Sequence, residues 1–162
     1  MDLGQARQIK LLIMDCDGVL TDGRLYFSPS GEELKVFHVR DGQGLVMWHA
    51  AGFRSAIISG RNSPIVELRG TQLGVEFIVQ GCNDKTVAFN EILMTAGLTS
   101  GDVVFIGDDT PDLEVMKLSG MAIAVGDAEE TVKASADYVT KAFGGLGAVR
   151  EVIDLILGAK QN

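Results

Sequence analysis

Ile9-Lys10-Leu11-Leu12-Ile13-Met14 runs straight into Asp15-Cys16-Asp17-Gly18-Val19-Leu20-Thr21-Asp22-Gly23. Leu11 to Met14 has the unbroken apolar character of a buried parallel strand. Where that strand should end, the chain sets two carboxylates two positions apart. Ligands of open α/β sheets sit at the carboxyl ends of strands. Like charges held together are costly unless a cation or a shared proton relieves them. The stretch therefore points to a metal site, an acid–base pair, or both.

The same pattern returns three times. Phe53-Arg54-Ser55-Ala56-Ile57-Ile58 ends in Ser59-Gly60-Arg61. Gly74-Val75-Glu76-Phe77-Ile78-Val79 is followed by Gln80-Gly81 and then Lys85, and Asp102-Val103-Val104-Phe105-Ile106 ends in Gly107-Asp108-Asp109-Thr110-Pro111-Asp112. Four strand-like runs thus deliver a carboxylate pair, a hydroxyl, a lysine and a carboxylate cluster. That set suits phosphoryl transfer with Mg2+: one carboxylate attacks, another carries the proton, hydroxyl and ammonium hold phosphate oxygens, and acids hold the metal.

Between these runs the chain alternates strand-like and helix-like segments. Helices are expected over Leu45–Ala51, capped by Asp41-Gly42-Gln43-Gly44, and over Pro64–Leu73, Lys85–Ala96, Pro111–Leu118, Ala128–Ala134 and Ala148–Leu157. Further strands are expected at Met121–Val125 and Tyr138–Thr140. This alternation predicts an α/β fold, a Rossmann-like parallel sheet with helices on both faces. Arg24–Phe27 and Glu33–Val39 flank the turn-rich Ser28-Pro29-Ser30-Gly31. They predict a β-hairpin over about residues 24–39, standing over Asp15 like a lid.

Bulk properties narrow the function. The 162 residues are 46% hydrophobic, which is enough for one globular domain spanning 1–162. A net charge of −8, spread without runs, excludes a basic nucleic-acid-binding surface. Cys16 and Cys82 are too few for a disulfide framework. Met1 to Gln8 lacks a secretory apolar region, and no apolar stretch reaches membrane-spanning length. A cytoplasmic location with no membrane partner is expected.

Alone, Asp15 and Asp17 would also suit a solvated turn. Together with Ser59-Gly60, Lys85 and Gly107-Asp108-Asp109-x-x-Asp112, in this order, they resemble the haloacid dehalogenase superfamily, from about Ile9 to the end of the chain. The resemblance narrows further. Gly31-Glu32-Glu33-Leu34-Lys35, Val39-Arg40-Asp41-Gly42, Ser59-Gly60-Arg61, Gln80-Gly81 with Asp84-Lys85, and Gly147-Ala148-Val149-Arg150-Glu151 are similar to the small-cap phosphatases acting on 3-deoxy-D-manno-octulosonate 8-phosphate. Those enzymes have a hairpin instead of a cap domain and form homotetramers. They often have Arg where this chain has Leu146, and a larger apolar residue where it has Cys16.

The resemblance implies roles. Asp15 would be the nucleophile that forms an aspartyl-phosphate. Asp17 would protonate the leaving alkoxide and then activate water. Asp15, the Asp17 backbone carbonyl and Asp108 would bind Mg2+, with Asp109 and Asp112 supporting the metal. Ser59 and Lys85 would hold the phosphoryl oxygens. Arg61 would read the carboxylate of a sugar-acid substrate, as arginine does bidentately. His38, Val39, Arg40, Asp41 and Gly42 lie in the family's substrate-binding stretch, and Arg69 is a further substrate-binding candidate. Ordinary readings stand beside these: a partly exposed strand histidine at His38, a helix-surface cation at Arg69. A nine-carbon sialic-type acid 9-phosphate is an alternative substrate, although related enzymes with that substrate usually carry an acidic residue where Arg61 stands. A third reading is a non-catalytic phosphatase-like oligomerisation module.

Overall fold

The computed structural model describes residues 2–161. In chain order it comprises α1 (Leu3–Gln8), β1 (Leu11–Met14), β2 (Tyr26–Phe27), β3 (Glu33–Leu34), α2 (Val39–Ala50), β4 (Arg54–Ile58), α3 (Pro64–Leu73) and β5 (Phe77–Val79). Then come α4 (Lys85–Ala96), β6 (Val103–Gly107), α5 (Leu113–Leu118), β7 (Met121–Ala124), α6 (Glu130–Lys133), β8 (Tyr138–Val139) and α7 (Ala148–Gln161).

Six strands form one parallel sheet in the order β5-β4-β1-β6-β7-β8. β1 is central, with Leu11 opposite both Arg54 and Val103. Covered on both edges and both faces, all four of its residues are buried, which is why its sequence is continuous in apolar residues. α7 packs along α1 and α2, whereas α4 packs against α5. α7 earns its place through one apolar stripe: Val149, Val152, Ile153 and Ile156 are all fully buried. The expected sheet, flanked by helices, is the one observed.

Three elements differ from the sequence expectation. α2 begins at Val39, with His38 as its N-cap, rather than near Gly44. Gly42 and Gly44, expected in the cap, are buried inside that helix. A Cβ on Gly44 would sit 3.1–3.2 Å from Arg150 and Ile153 of α7, so the glycine permits close approach of the two helices. The hairpin is correspondingly short: only Tyr26↔Leu34 and Phe27↔Glu33 pair. Finally, Leu3–Gln8 is a helix capped by Asp2, whose carboxylate accepts from the Gly4 N–H at 2.8 Å. It buries only Ala6, so it leaves no periodic signal. Among the described residues no helix is long and apolar enough to cross a membrane.

Candidate active site

The site is assembled from the carboxyl ends of β1, β4 and β6 and the start of α4. Asp15 leaves β1 with its N–H donated to the Ile106 carbonyl at 3.0 Å. The chain then reverses at Gly18, whose φ is +97°, a region closed to most side chains. A Cβ there would lie 2.0 Å from Asp108 Oδ2. The Thr21 hydroxyl fastens the turn by accepting from Gly18 and Gly23 N–H groups, each at 3.3 Å. Ser59 follows β4 and is buried; its Oγ accepts from the Arg61 N–H at 3.3 Å.

Lys85 is the first residue of α4, behind the N-cap Asp84. Its buried ammonium lies 2.9 Å from Asp15 Oδ1 and donates to Asp112 Oδ1 at 2.6 Å. Asp112, on a short 3-10 turn, is buried, and its second oxygen accepts from the Asp108 N–H at 3.0 Å. One open cavity of about 340 Å3 brings together Asp15, Asp17, Ser59, Arg61, Lys85 and Asp108.

The electrostatics call for a cation. Carboxylate oxygens of Asp15, Asp108 and Asp112 lie within 4.8 Å of one another. Burial, reinforced by the charge of Asp112 and offset by Lys85, pushes the Asp15 carboxyl up to about 6. Burial, together with Asp15 and Asp112, pushes Asp108 up to about 8. Asp108 Oδ1 is buried with no hydrogen-bond partner. A crowded, all-oxygen cluster with an unsatisfied lone pair fits a hard divalent cation such as Mg2+. Asp15 and Asp108 are the available ligands, because Asp112 is committed to Lys85 and to the Asp108 N–H. Asp109 lines the same cavity, and its Oδ1 accepts from the Thr110 N–H at 2.6 Å. Burial pushes the Cys16 thiol up, so it is an inert core group between the two acids.

Asp17 is held differently. Its Oδ1 pairs with Lys35, and its Oδ2, buried without a hydrogen bond, lies 3.5 Å from Arg61 Nε. Lys35 and its neighbour Glu33 come from the hairpin. Sequence reasoning noted their motif but gave neither a place in the site. Their alternation with the exposed Leu34 and Val36 was the available signal.

The remaining candidates do not line this cavity within one chain. Asp41 is buried at the start of α2, where it accepts from the backbone N–H groups of Arg150 at 2.8 Å and Gly147 at 3.1 Å. Burial raises its pKa, against those hydrogen bonds. His38 Nδ1 lies 3.9 Å from the same carboxylate. Arg69 abuts Gly42, where a Cβ would meet its Nη2 at 2.5 Å. Arg40 lines a second hollow of about 390 Å3 with Leu146, Gly147 and Arg150, and Val39 is exposed beside it in sequence.

A parallel sheet carrying an Asp-x-Asp turn, a strand-end serine, a helix-start lysine and a distal acidic turn defines a hydrolase of the haloacid dehalogenase type. The family profile of haloacid dehalogenase-like hydrolases matches residues 50–153. The 3-deoxy-D-manno-octulosonate 8-phosphate phosphatase of Escherichia coli K12 is 44% identical over 158 residues, covering 98% of this chain and 84% of that protein. The crystal structure of the Yersinia pestis phosphatase of that name superposes with a TM-score of 0.96 at 45% identity, covering 98% of this chain and 86% of that one. The Moraxella catarrhalis phosphatase, solved with magnesium, phosphate and the eight-carbon sugar acid, has a TM-score of 0.96 at 41% identity, covering 99% and 92%. The chain belongs to the haloacid dehalogenase superfamily and, within it, to the family of 3-deoxy-D-manno-octulosonate 8-phosphate phosphatases.

Proposed function

We propose that this protein is a Mg2+-dependent phosphatase that hydrolyses 3-deoxy-D-manno-octulosonate 8-phosphate to the free sugar acid and phosphate, supplying a precursor for lipopolysaccharide. The observation that carries the reading is the placement of Asp15 against Lys85, beside the unsatisfied Asp108. In this reading Asp15 Oδ attacks phosphorus and the sugar alkoxide leaves with a proton from Asp17. Asp17 then takes a proton from water, which attacks the aspartyl-phosphate, releasing phosphate and regenerating Asp15. Ser59 and Lys85 hold the phosphoryl oxygens. Mg2+, held by Asp15, Asp108 and the Asp17 carbonyl, supplies positive charge where negative charge accumulates. Arg61, at the cavity with its Nε 3.5 Å from Asp17, is the cation we assign to the substrate's carboxylate. A basic residue here, where enzymes for a nine-carbon sialic-type 9-phosphate usually carry an acidic one, favours the eight-carbon acid. A non-catalytic module would have no reason to keep an Asp108 oxygen buried without a hydrogen-bond partner.

The chain functions as one domain, in the cytoplasm, as a homotetramer. Phe27, Leu34 and Val36 are 58%, 60% and 62% exposed along the hairpin, apolar surface suited to a second copy. His38 to Gly42, Arg69 and the tail around Leu146 would then contribute to a neighbour's substrate pocket. The test is phosphate release from the eight-carbon substrate with and without Mg2+. No turnover, or equal turnover without metal, overturns the reading.

A further inference from the structure

Residues alternate along the hairpin's second arm: Leu34 and Val36 face outward, while Glu33 and Lys35 face the site. Glu33 brings a carboxylate to the arginine proposed to read one. Its Oε1 accepts from Arg61 Nη2 at 2.7 Å, and its Oε2 accepts from the Ser63 hydroxyl at 2.9 Å. Oε1 also lies 3.6 Å from Lys35 Nζ. Only 16% of the Glu33 side chain is exposed. Burial alone would raise its pKa, but Ser63 and Arg61 outweigh that and hold it below the usual carboxylate range.

We infer that Glu33 is an internal competitor for Arg61: its carboxylate takes the place of the substrate's carboxylate in the free protein, yields it on binding, and reclaims it as the product leaves. This rests on the reading that Arg61 binds the sugar acid. Arg61 then always has an anionic partner, so no stage leaves a guanidinium bare. The exchange requires only that the Glu33 side chain rotate, because Lys35, two residues further along the same arm, keeps hold of Asp17. A competitor held in the same fold, 2.7 Å from the arginine, acts at a high effective concentration. It keeps small carboxylates off Arg61 and lowers the apparent affinity for every carboxylate ligand by the fraction of time the arginine is free. The product keeps its carboxylate, so the same competition speeds its departure.

The test is product inhibition by the free eight-carbon sugar acid, measured against p-nitrophenyl phosphate with Mg2+. Glu33→Gln keeps the shape and removes the charge. A charge-assisted pair that is half in solvent implies a fall in the inhibition constant of about threefold to tenfold, with KM for the sugar phosphate falling in parallel. Ser63→Ala removes one donor to Glu33 without altering either charge, and should move both constants the same way by less. It also keeps the test independent of how Glu33→Gln folds, since Ser63 makes no side-chain capping bond to α3. Constants that stay the same or rise in both variants overturn the inference. Failure of the underlying function is separately visible, because the wild type itself would then neither hydrolyse the sugar phosphate nor bind the acid.

Discussion

Lys35, on the hairpin, is ion-paired to Asp17, on the turn after β1, and only 2% of the lysine side chain is exposed. The hairpin is thereby anchored to the residue assigned the proton transfers. Asp15, two positions earlier, has its own lysine in Lys85, from the sheet's far helix. Each leading carboxylate has a separate cation, and the two can be tested separately.

Asp15→Asn should remove turnover by several orders of magnitude on every phosphate ester, because the nucleophile is gone. Asp17→Asn should cost about 10²–10⁴-fold on the sugar phosphate, the usual worth of general acid–base help. Its effect should shrink on p-nitrophenyl phosphate, whose leaving group needs little protonation. Equal losses on both substrates in steady-state assays would remove Asp17 from the acid role.

Arg61→Ala should lower kcat/KM for the sugar phosphate while largely sparing p-nitrophenyl phosphate. A charge-assisted contact is worth about 1.5–3 kcal/mol, or roughly 10- to 150-fold. The Arg61 side chain is 44% exposed, so solvent screening places the expectation near the lower end. Comparable damage to both substrates would mean that Arg61 supports the phosphate instead.

Metal binding should depend on pH in a defined direction. Asp15 and Asp108 titrate near 6 and 8 in the metal-free fold, both above the ordinary carboxyl value of 3.8. Between about pH 4 and 8 the native state therefore holds more protons than the unfolded chain, and this contribution to stability is lost as pH rises through that window. Mg2+ must displace those protons. Its affinity should rise from pH 6 to pH 8, and titration calorimetry in buffers of different ionisation enthalpy should detect proton release. A dissociation constant that is flat over this range would place the metal elsewhere.

Charge on the hairpin's exposed apolar residues should disperse the assembly. Phe27→Asp with Val36→Asp should convert a particle of about four chains' mass to smaller species in sedimentation equilibrium. Activity on the sugar phosphate should fall more than activity on p-nitrophenyl phosphate. A wild-type monomer with full activity on the sugar substrate would end the tetramer proposal.

Asp41→Ala should destabilise the fold by about 1–3 kcal/mol, the cost of stranding buried N–H donors. The donors are those of Gly147 and Arg150, more than a hundred positions away in sequence. Urea denaturation reads this directly. An unchanged midpoint would show that water replaces the carboxylate at no cost.

Much of this architecture is legible in the chain itself. β1 and β6 announce themselves because a strand covered on both faces must be apolar without interruption, and β4 does so through Ala56-Ile57-Ile58. Asp15, Ser59 and Asp108 follow because polarity returns abruptly where those strands end. Pro64 and Gly74, or Lys85 and Gly97, bound their helices by local chemistry alone, with Gly74 and Gly97 both in left-handed backbone. What stays hidden depends on distant partners. Gly42 and Gly44 look like part of a cap until α7 and Arg69 arrive beside them. Glu33 and Arg61, 28 positions apart, carry no local mark of their pairing. The site's hydroxyl, ammonium and metal acids are readable, whereas the hairpin's charges become intelligible only in three dimensions.

The hairpin's alternating arm also implies an odd–even rule for how its length can vary. Side chains along a strand change face with every residue. One residue inserted between Gly31 and Glu33 would turn the two charges toward solvent and bring Leu34 and Val36 down onto Asp17 and Arg61. Chemistry and subunit pairing would fail in a single step. Two inserted residues would restore both faces and merely lengthen the reach. Lineages that remodel this arm should therefore differ there by pairs of residues, and a single-residue indel should be among the least tolerated changes outside the catalytic turns.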